Sequence, residues 1–180
     1  MLANERRPLP VVIEPLESAD LSAVARIDAA SFDRSGTRSV ATAEAQLREE
    51  LARPWARLRV ARAITDGRIA GYLVAWHVAD ELHVIHVATD PAERRRGVGR
   101  ALLGELIEFG RGKDVRLVLL EVRRSNDAAI RMYREAGFSA MSVRRGYYPD
   151  HEDAIEMVLT FDPSTRDVVK NRDEVRLEVI

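Results

Sequence analysis

The sequence predicts an α/β protein built on a mixed sheet, and three features point that way. Between Trp55 and Asp90 the apolar residues recur with period two, as in the strands of a meander. After Asp90 the pattern alternates helix, strand, helix, strand. The run VRLVLLEV within that alternation is nearly continuously apolar, as expected of a strand covered on both faces.

In chain order, VVIEP at residues 11–15 reads as a short strand, and Ser18 is placed to cap a helix whose apolar face is Leu21, Val24 and Ile27. A second helix at about 42–52 carries Ala43, Leu47 and Leu51. It ends by Arg53, because Pro54 disfavours helical geometry in the residue before it. SFDRSGTRSV between these helices reads as loop. Leu58, Val60 and Ile64 then alternate with Arg57, Arg59 and Ala61, and Asp66-Gly67 supplies a tight turn before IAGYLVAWHV. ELHVIHVATD completes the meander after a short turn at Asp80. A helix over about 98–111 presents Val98, Leu102, Leu106 and Phe109 on one face. Another helix starts near Asn126 and ends at Gly137, followed by the strand-like FSAMSVRR and DAIEMVLTF. A single domain over 1–161 is expected, with a charged tail over 162–180 in which EVRLEVI alternates well enough for an edge strand.

Composition narrows the functions available. There is no cysteine, which excludes a thiolate nucleophile, a disulfide framework and a cysteine zinc site. The net charge of -1 disfavours a general nucleic-acid surface, so any phosphate partner should be small. MLANERRPLPVVIEP has no uninterrupted apolar stretch with a cleavage site, and no run is long enough to span a bilayer. A soluble, cytoplasmic protein with no membrane partner is expected. His83 and His86 are three apart on a strand and point to opposite faces, so no metal is expected on them.

The most informative stretch is VATDPAERRRGVGRALLGELIEFGR, residues 87–111. The first N–H groups of a helix lack intrahelical partners and carry partial positive charge, so they attract anions. Gly97 and Gly99 allow close backbone approach, and Arg94, Arg95 and Arg96 add forked donors. A Walker loop is excluded, since the single Gly-Lys, Gly112-Lys113, is followed by Asp114. A dinucleotide fingerprint needs a third glycine where Leu102 stands. A plain turn solvated by arginines explains the glycines equally well on their own.

The pattern Arg94-Arg95-Arg96-Gly97-Val98-Gly99 resembles the signature of the GNAT acetyltransferases, in which Gln or Arg, two residues, Gly, one residue, and Gly or Ala lead into a helix. The resemblance implies a mostly antiparallel central sheet with helices on both faces, and acetyl-CoA as co-substrate. It implies that Arg95, Arg96, Gly97, Val98, Gly99 and Arg100 hold the pyrophosphate, and that Val87, Ala88 and Thr89 pair with the pantetheine arm.

LEVRRSNDAAIRMYREAGF, residues 120–138, holds the second informative group. Alternation puts Leu117, Leu119 and Glu121 on one face of a strand, and a partly desolvated carboxylate suits general-base work. An ion pair with Arg123 or another arginine is the structural alternative. Tyr133, near Ile130 and Met132, reads by itself as core, although a phenol can donate a proton. Within the family the stretch resembles the RimI type, N-alpha-acetyltransferases of ribosomal protein N-termini, through Leu-Glu-Val-Arg, Ser-Asn, the Ala-Ala helix, Tyr and Gly-Phe. The likeness extends to Arg144, Arg145, Tyr147, Tyr148, Pro149 and Glu152-Asp153-Ala154-Ile155. It implies that Glu121 is the proton acceptor, Tyr133 the proton donor, and Asn126 a hydrogen-bond partner of the cofactor arm.

The resemblance also implies direct attack by a protein or peptide N-terminal amine, with no covalent enzyme intermediate. A lysine side chain or small amine is the alternative acceptor, and a non-catalytic acyl-CoA-binding module is a further alternative. The RimI type often carries Pro-Trp between the first two helices, where this chain reads Ser31-Phe32-Asp33-Arg34-Ser35-Gly36. Phe32 is expected to keep an aromatic wall beside the acceptor, with Tyr147 and Tyr148 closing the other side.

Overall fold

The computed structural model describes residues 7–32 and 38–175. Its elements run β1 (Val11–Pro15), α1 (Leu21–Phe32), α2 (Val40–Leu51), β2 (Ala56–Ala63), β3 (Ile69–Val78), β4 (Glu81–Thr89), α3 (Val98–Arg111), β5 (Leu117–Arg123), α4 (Asp127–Glu135), β6 (Ser139–Arg144), β7 (Ala154–Phe161) and β8 (Val168–Val169). The strands form an eight-stranded sheet in the order β1-β2-β3-β4-β5-β7-β6, with β8 on β7. β4 and β5 pair in parallel, whereas β1–β2, β2–β3, β5–β7, β6–β7 and β7–β8 are antiparallel. The predicted α/β class with a mixed, mostly antiparallel sheet is therefore what the chain adopts.

The described residues fall into two compact units. The first comprises those up to Trp76 together with His86–Glu105, and the second comprises His77–Ile85 with those from Leu106 onward. The core of the first packs Leu21, Val24 and Ile27 of α1 and Leu47 of α2 with Val60 and Val74 of the sheet. In the second, Val118, Leu120 and Val122 of β5 and Ile155, Met157 and Leu159 of β7 are buried.

Four details differ from the sequence reading. Ser18 lies inside a 3-10 turn over Ser18–Asp20, and the Asp20 carboxylate accepts from the Glu17 N–H at 3.1 Å, so the cap sits one residue earlier. α1 continues through Ser31 and Phe32, which were expected in the loop, while residues 33–37 of that loop lie outside the described residues. A register shift between Ala61 and Arg62 breaks the period of β2, so Ile64 leaves the buried series and is 67% exposed. β5 is not covered on both faces: its burial alternates, with Glu121 exposed.

Gly137 ends its helix as read, and Ser39 supplies a cap that the sequence reading had left in the loop. Ser39 caps α2 by accepting from the Thr42 N–H at 3.0 Å. Gly137 takes φ +105, and the N–H groups of Gly137 and Phe138 bond back to the Arg134 and Tyr133 carbonyls, each at 3.0 Å, closing α4 in a Schellman motif. The tail contributes β8, paired with β7 from Thr160↔Val169 to Phe161↔Val168. The proposed strand EVRLEVI lies mostly outside the described residues.

Candidate active site

In the first unit, β4 leads directly into the arginine-glycine loop. The Asp90 N–H bonds to the Ala70 carbonyl at 2.9 Å, pinning the end of β4 beside β3. Gly71 makes this closeness possible, since a Cβ there would stand 2.7 Å from the Ala88 carbonyl and 2.8 Å from Val98 Cγ1. Arg95 and Gly97 both take left-handed backbone, at φ 63 and φ 85. This wraps the chain so that α3 starts at Val98, with the Gly97 carbonyl accepting from the Ala101 N–H at 3.0 Å. A side chain on Gly97 would meet nothing within 4 Å, so open space lies outside the turn. Left-handed turns before a helix aim backbone N–H groups outward, which fits a diphosphate.

The arginines divide. Arg94, Arg95 and Arg100 are exposed. Arg96 is drawn inward, donating to the Arg7 carbonyl at 3.0 Å and pairing with Glu93, which also holds Arg68. Glu93 is only 3% exposed, so these arginines satisfy a carboxylate that burial would otherwise penalise. Val98 is buried, whereas Gly97 on one side of it is exposed and Gly99 on the other is half-buried.

Val87, Ala88 and Thr89 lie at the C-terminal end of β4. The parallel pairing of β4 with β5 runs from Glu81↔Leu117 to Val84↔Leu120. Among the described residues it goes no further, so the later residues of β4 offer backbone groups on that edge, the kind of edge to which an extended ligand can add.

In the second unit, Glu121 stands where β5 turns its unburied face outward. Its Oε1 accepts from Arg144 Nη1 at 2.8 Å, and Arg144 also lies 3.8 Å from Glu156. The ion pair is thus with Arg144, and the Glu121 side chain is partly covered, keeping 35% exposure. Arg123 instead bonds Asp150 at 2.9 Å and Glu152 at 2.7 Å, with its guanidinium 3.9 Å above the Tyr148 ring. Arg144 lies over Tyr147 at 4.2 Å, and the two tyrosines meet edge to face at 5.1 Å.

Tyr133 points into the core from α4, packed at 5.7 Å on Phe138. Burial raises its pKa, and nearby Tyr148 raises it further. Tyr148 is pushed up to about 12, by burial first, with Arg123 opposing and Tyr147 and Glu121 adding. The fold therefore gathers Glu121, Tyr148 and Tyr133 into one electrostatically linked group. Asn126 caps α4, accepting from the Ala129 N–H at 3.2 Å.

A further polar cluster in the first unit escaped the sequence reading. Asp28 and Tyr72, both fully buried, are hydrogen-bonded to each other, and Arg38 also pairs with Asp28. His86 reaches this pair through Nδ1 and stacks on Phe32, with ring centroids 4.8 Å apart. The available signals were an aspartate beside the apolar stripe of α1 and a tyrosine in a strand whose other residues up to Trp76 are apolar. His83, by contrast, pairs with Glu81 at 3.0 Å.

Residues 22–138 match the acetyltransferase (GNAT) family. The chain belongs to that family. A GNAT relative, the ribosomal protein bS18-alanine N-acetyltransferase of Salmonella typhimurium, is 44% identical over 97 residues, covering 52% of this chain and 66% of its own. The chain thus spans just under two thirds of that relative. The N-alpha-acetyltransferase RimI of Mycobacterium tuberculosis is 36% identical over 143 residues, covering 77% of this chain and 85% of its own. The crystal structure of the ribosomal-protein-S18-alanine N-acetyltransferase from Escherichia coli superposes with a TM-score of 0.72 at 33% identity, over 84% of this chain and 94% of that one. No helix among the described residues is long and apolar enough to cross a membrane.

Proposed function

We propose that this protein transfers acetyl from acetyl-CoA to the N-terminal α-amine of a protein or peptide. The observation carrying this reading is the loop itself: left-handed turns at Arg95 and Gly97, with open space outside them, at the start of α3 and directly after the open edge of β4. The loop amides of Gly97, Val98 and Gly99, with Arg95 and Arg100, would hold the diphosphate, and Val87, Ala88 and Thr89 the pantetheine arm. Arg96 contributes by bracing the loop through Glu93. Acetyl-CoA supplies the activated acyl group.

Glu121 accepts a proton from the acceptor ammonium, directly or through a water, so that the amine attacks as the free base. Each such proton transfer is worth about 10² to 10⁴ in rate. Tyr133 stays protonated because burial disfavours its phenolate. It is then a weaker acid than a thiol, whose ordinary pKa is about 8.5. Its part is accordingly to donate a hydrogen bond to the departing sulfur, with the proton following only as solvent reaches the thiolate. Asn126 orders the turn between β5 and α4 by capping α4, and its role toward the cofactor arm extends from there. Tyr147, Tyr148 and Phe32 would shape the acceptor site. The related enzymes acting on ribosomal protein bS18 make a ribosomal protein the first acceptor to test.

The test mixes purified protein, acetyl-CoA and a panel of N-terminal peptides, lysine-containing N-blocked peptides and small amines. Equal amounts of free thiol and peptide acetylated on its α-nitrogen are expected. Acetyl on lysine or a small amine would replace the acceptor class. Tight coenzyme A binding with no acetylated amine would replace the enzyme by an acyl-CoA-binding module, and binding of short oligonucleotides without acetyl-CoA would replace both.

A further inference from the structure

The Asp28–Tyr72–His86 cluster has no part in the proton transfers above, yet its hydrogen bonds determine the state of an imidazole. A phenol has one proton and a carboxylate only accepts. Tyr72 gives its proton to Asp28, whose other oxygen accepts from Arg38. His86 Nδ1 lies 3.3 Å from the Tyr72 oxygen and 3.6 Å from Asp28, and both now face it as acceptors. Nδ1 must therefore carry the proton. In a neutral ring, Nε2 is then a bare acceptor, and among the described residues it has no hydrogen-bond partner.

His86 sits directly before Val87, Ala88 and Thr89, and the arginine-glycine loop lies beyond Thr89. A cofactor arm running from that loop back along β4 arrives at His86 with its far, acyl-bearing end. Phe32, 40% exposed, covers one ring face, and the His86 side chain keeps 30% of its surface open. Since Nδ1 is turned to the buried pair, the open edge is the one carrying Nε2.

We infer that His86 is a specificity-determining residue, whose Nε2 accepts a hydrogen bond from an N–H of the acceptor substrate while the Phe32–His86 stack forms the apolar wall beside it. The inference rests on the acetyl-transfer reading. Burial lowers the His86 pKa below its usual 6.5 and keeps the ring neutral, opposed by Asp28 and Glu50 and assisted by Arg38. Tyr72 faces the same nitrogen with its own pKa raised, so it too stays neutral. Protonation of His86 turns Nε2 into a donor on a cation, which repels an ammonium. Acceptor KM therefore rises as pH falls through that depressed pKa.

Two substitutions and one spectrum test this. His86→Phe keeps a stacking ring and removes the acceptor, and should raise KM for the acceptor peptide about tenfold while KM for acetyl-CoA stays unchanged. His86→Gln restores an acceptor atom that does not titrate, and should recover most of that loss while abolishing the rise in acceptor KM at acid pH. Independently of turnover, long-range nitrogen–proton NMR on the ligand-free protein should show His86 with its proton on Nδ1. A proton on Nε2, or an unchanged acceptor KM in a folded His86→Phe protein, overturns the assignment. Failure of the unsubstituted protein to acetylate any amine would instead remove the activity on which it depends.

Discussion

The loop opening α3 and the end of β5 are both rich in arginine, yet they use it in opposite ways. In the loop, Arg94 and Arg95 are exposed, and among the described residues neither meets a carboxylate. At β5, Arg144 is bound to Glu121 and Arg123 to Asp150 and Glu152. The first region is built from backbone: positive φ angles, free helix amides and glycine, with charge added at the rim. The second is built from side chains brought together from β5, α4, β6 and the segment before β7. A count of arginines cannot separate these roles; a carboxylate neighbour does, and within the loop Arg96 has one in Glu93 whereas Arg94 and Arg95 have none among the described residues. The difference also predicts how each region fails, gradually through geometry in one and abruptly through a single atom in the other.

The sharpest break should come from Glu121→Gln, which keeps shape and removes the carboxylate proposed as base. It should lower kcat by about 10² to 10⁴ while leaving the calorimetric affinity for acetyl-CoA unchanged. A variant with full kcat would return Glu121 to a structural partner of Arg144.

Next is Gly71→Ala. The added methyl collides with the Ala88 carbonyl and Val98, so about 1–3 kcal/mol of stability should be lost in urea unfolding, together with weaker acetyl-CoA binding. Retained stability would show that β4 and α3 can move apart without consequence for the loop.

Gly97→Ala meets open space, so its whole cost comes from left-handed backbone, about 1–2 kcal/mol. Gly97→Asn should cost less, since asparagine tolerates that region. Equal losses for both would point to contact rather than φ.

The smallest effect is expected for Arg95→Ala, which removes an exposed charge. Acetyl-CoA binding should weaken by about 0.5–1 kcal/mol in dilute buffer, and the difference should shrink toward zero at about 1 M salt, where screening is nearly complete. A loss indifferent to salt would mean that Arg95 acts through its backbone instead.

Much of the first region was legible from the chain alone because its chemistry is local. Seven consecutive residues from Arg94 to Arg100 contain the turn, the glycines and the helix start, and the observed α3 boundaries coincide with the expected ones. Glu121 was legible as a polar residue in an apolar strand, but its surroundings were not. Its partner Arg144 is 23 residues away, and β7 lies between their strands in the sheet. The expectation that β5 is covered on both faces failed because apolar content does not report which face receives a neighbour.

By itself the sequence determined the order of elements from β1 to β7, the glycine turn into α3 and the carboxylate and phenol proposed to handle protons. Those depend on backbone preferences and periodicity, which act over a few residues. Tertiary structure alone decided that Arg96 braces Glu93 while Arg95 faces solvent, that Arg144 and not Arg123 meets Glu121, and that Asp28, Tyr72 and His86 share one proton network. Each of these is a contact between residues whose separation along the chain carries no information about distance, or a choice between adjacent side chains that only the packing around them can make.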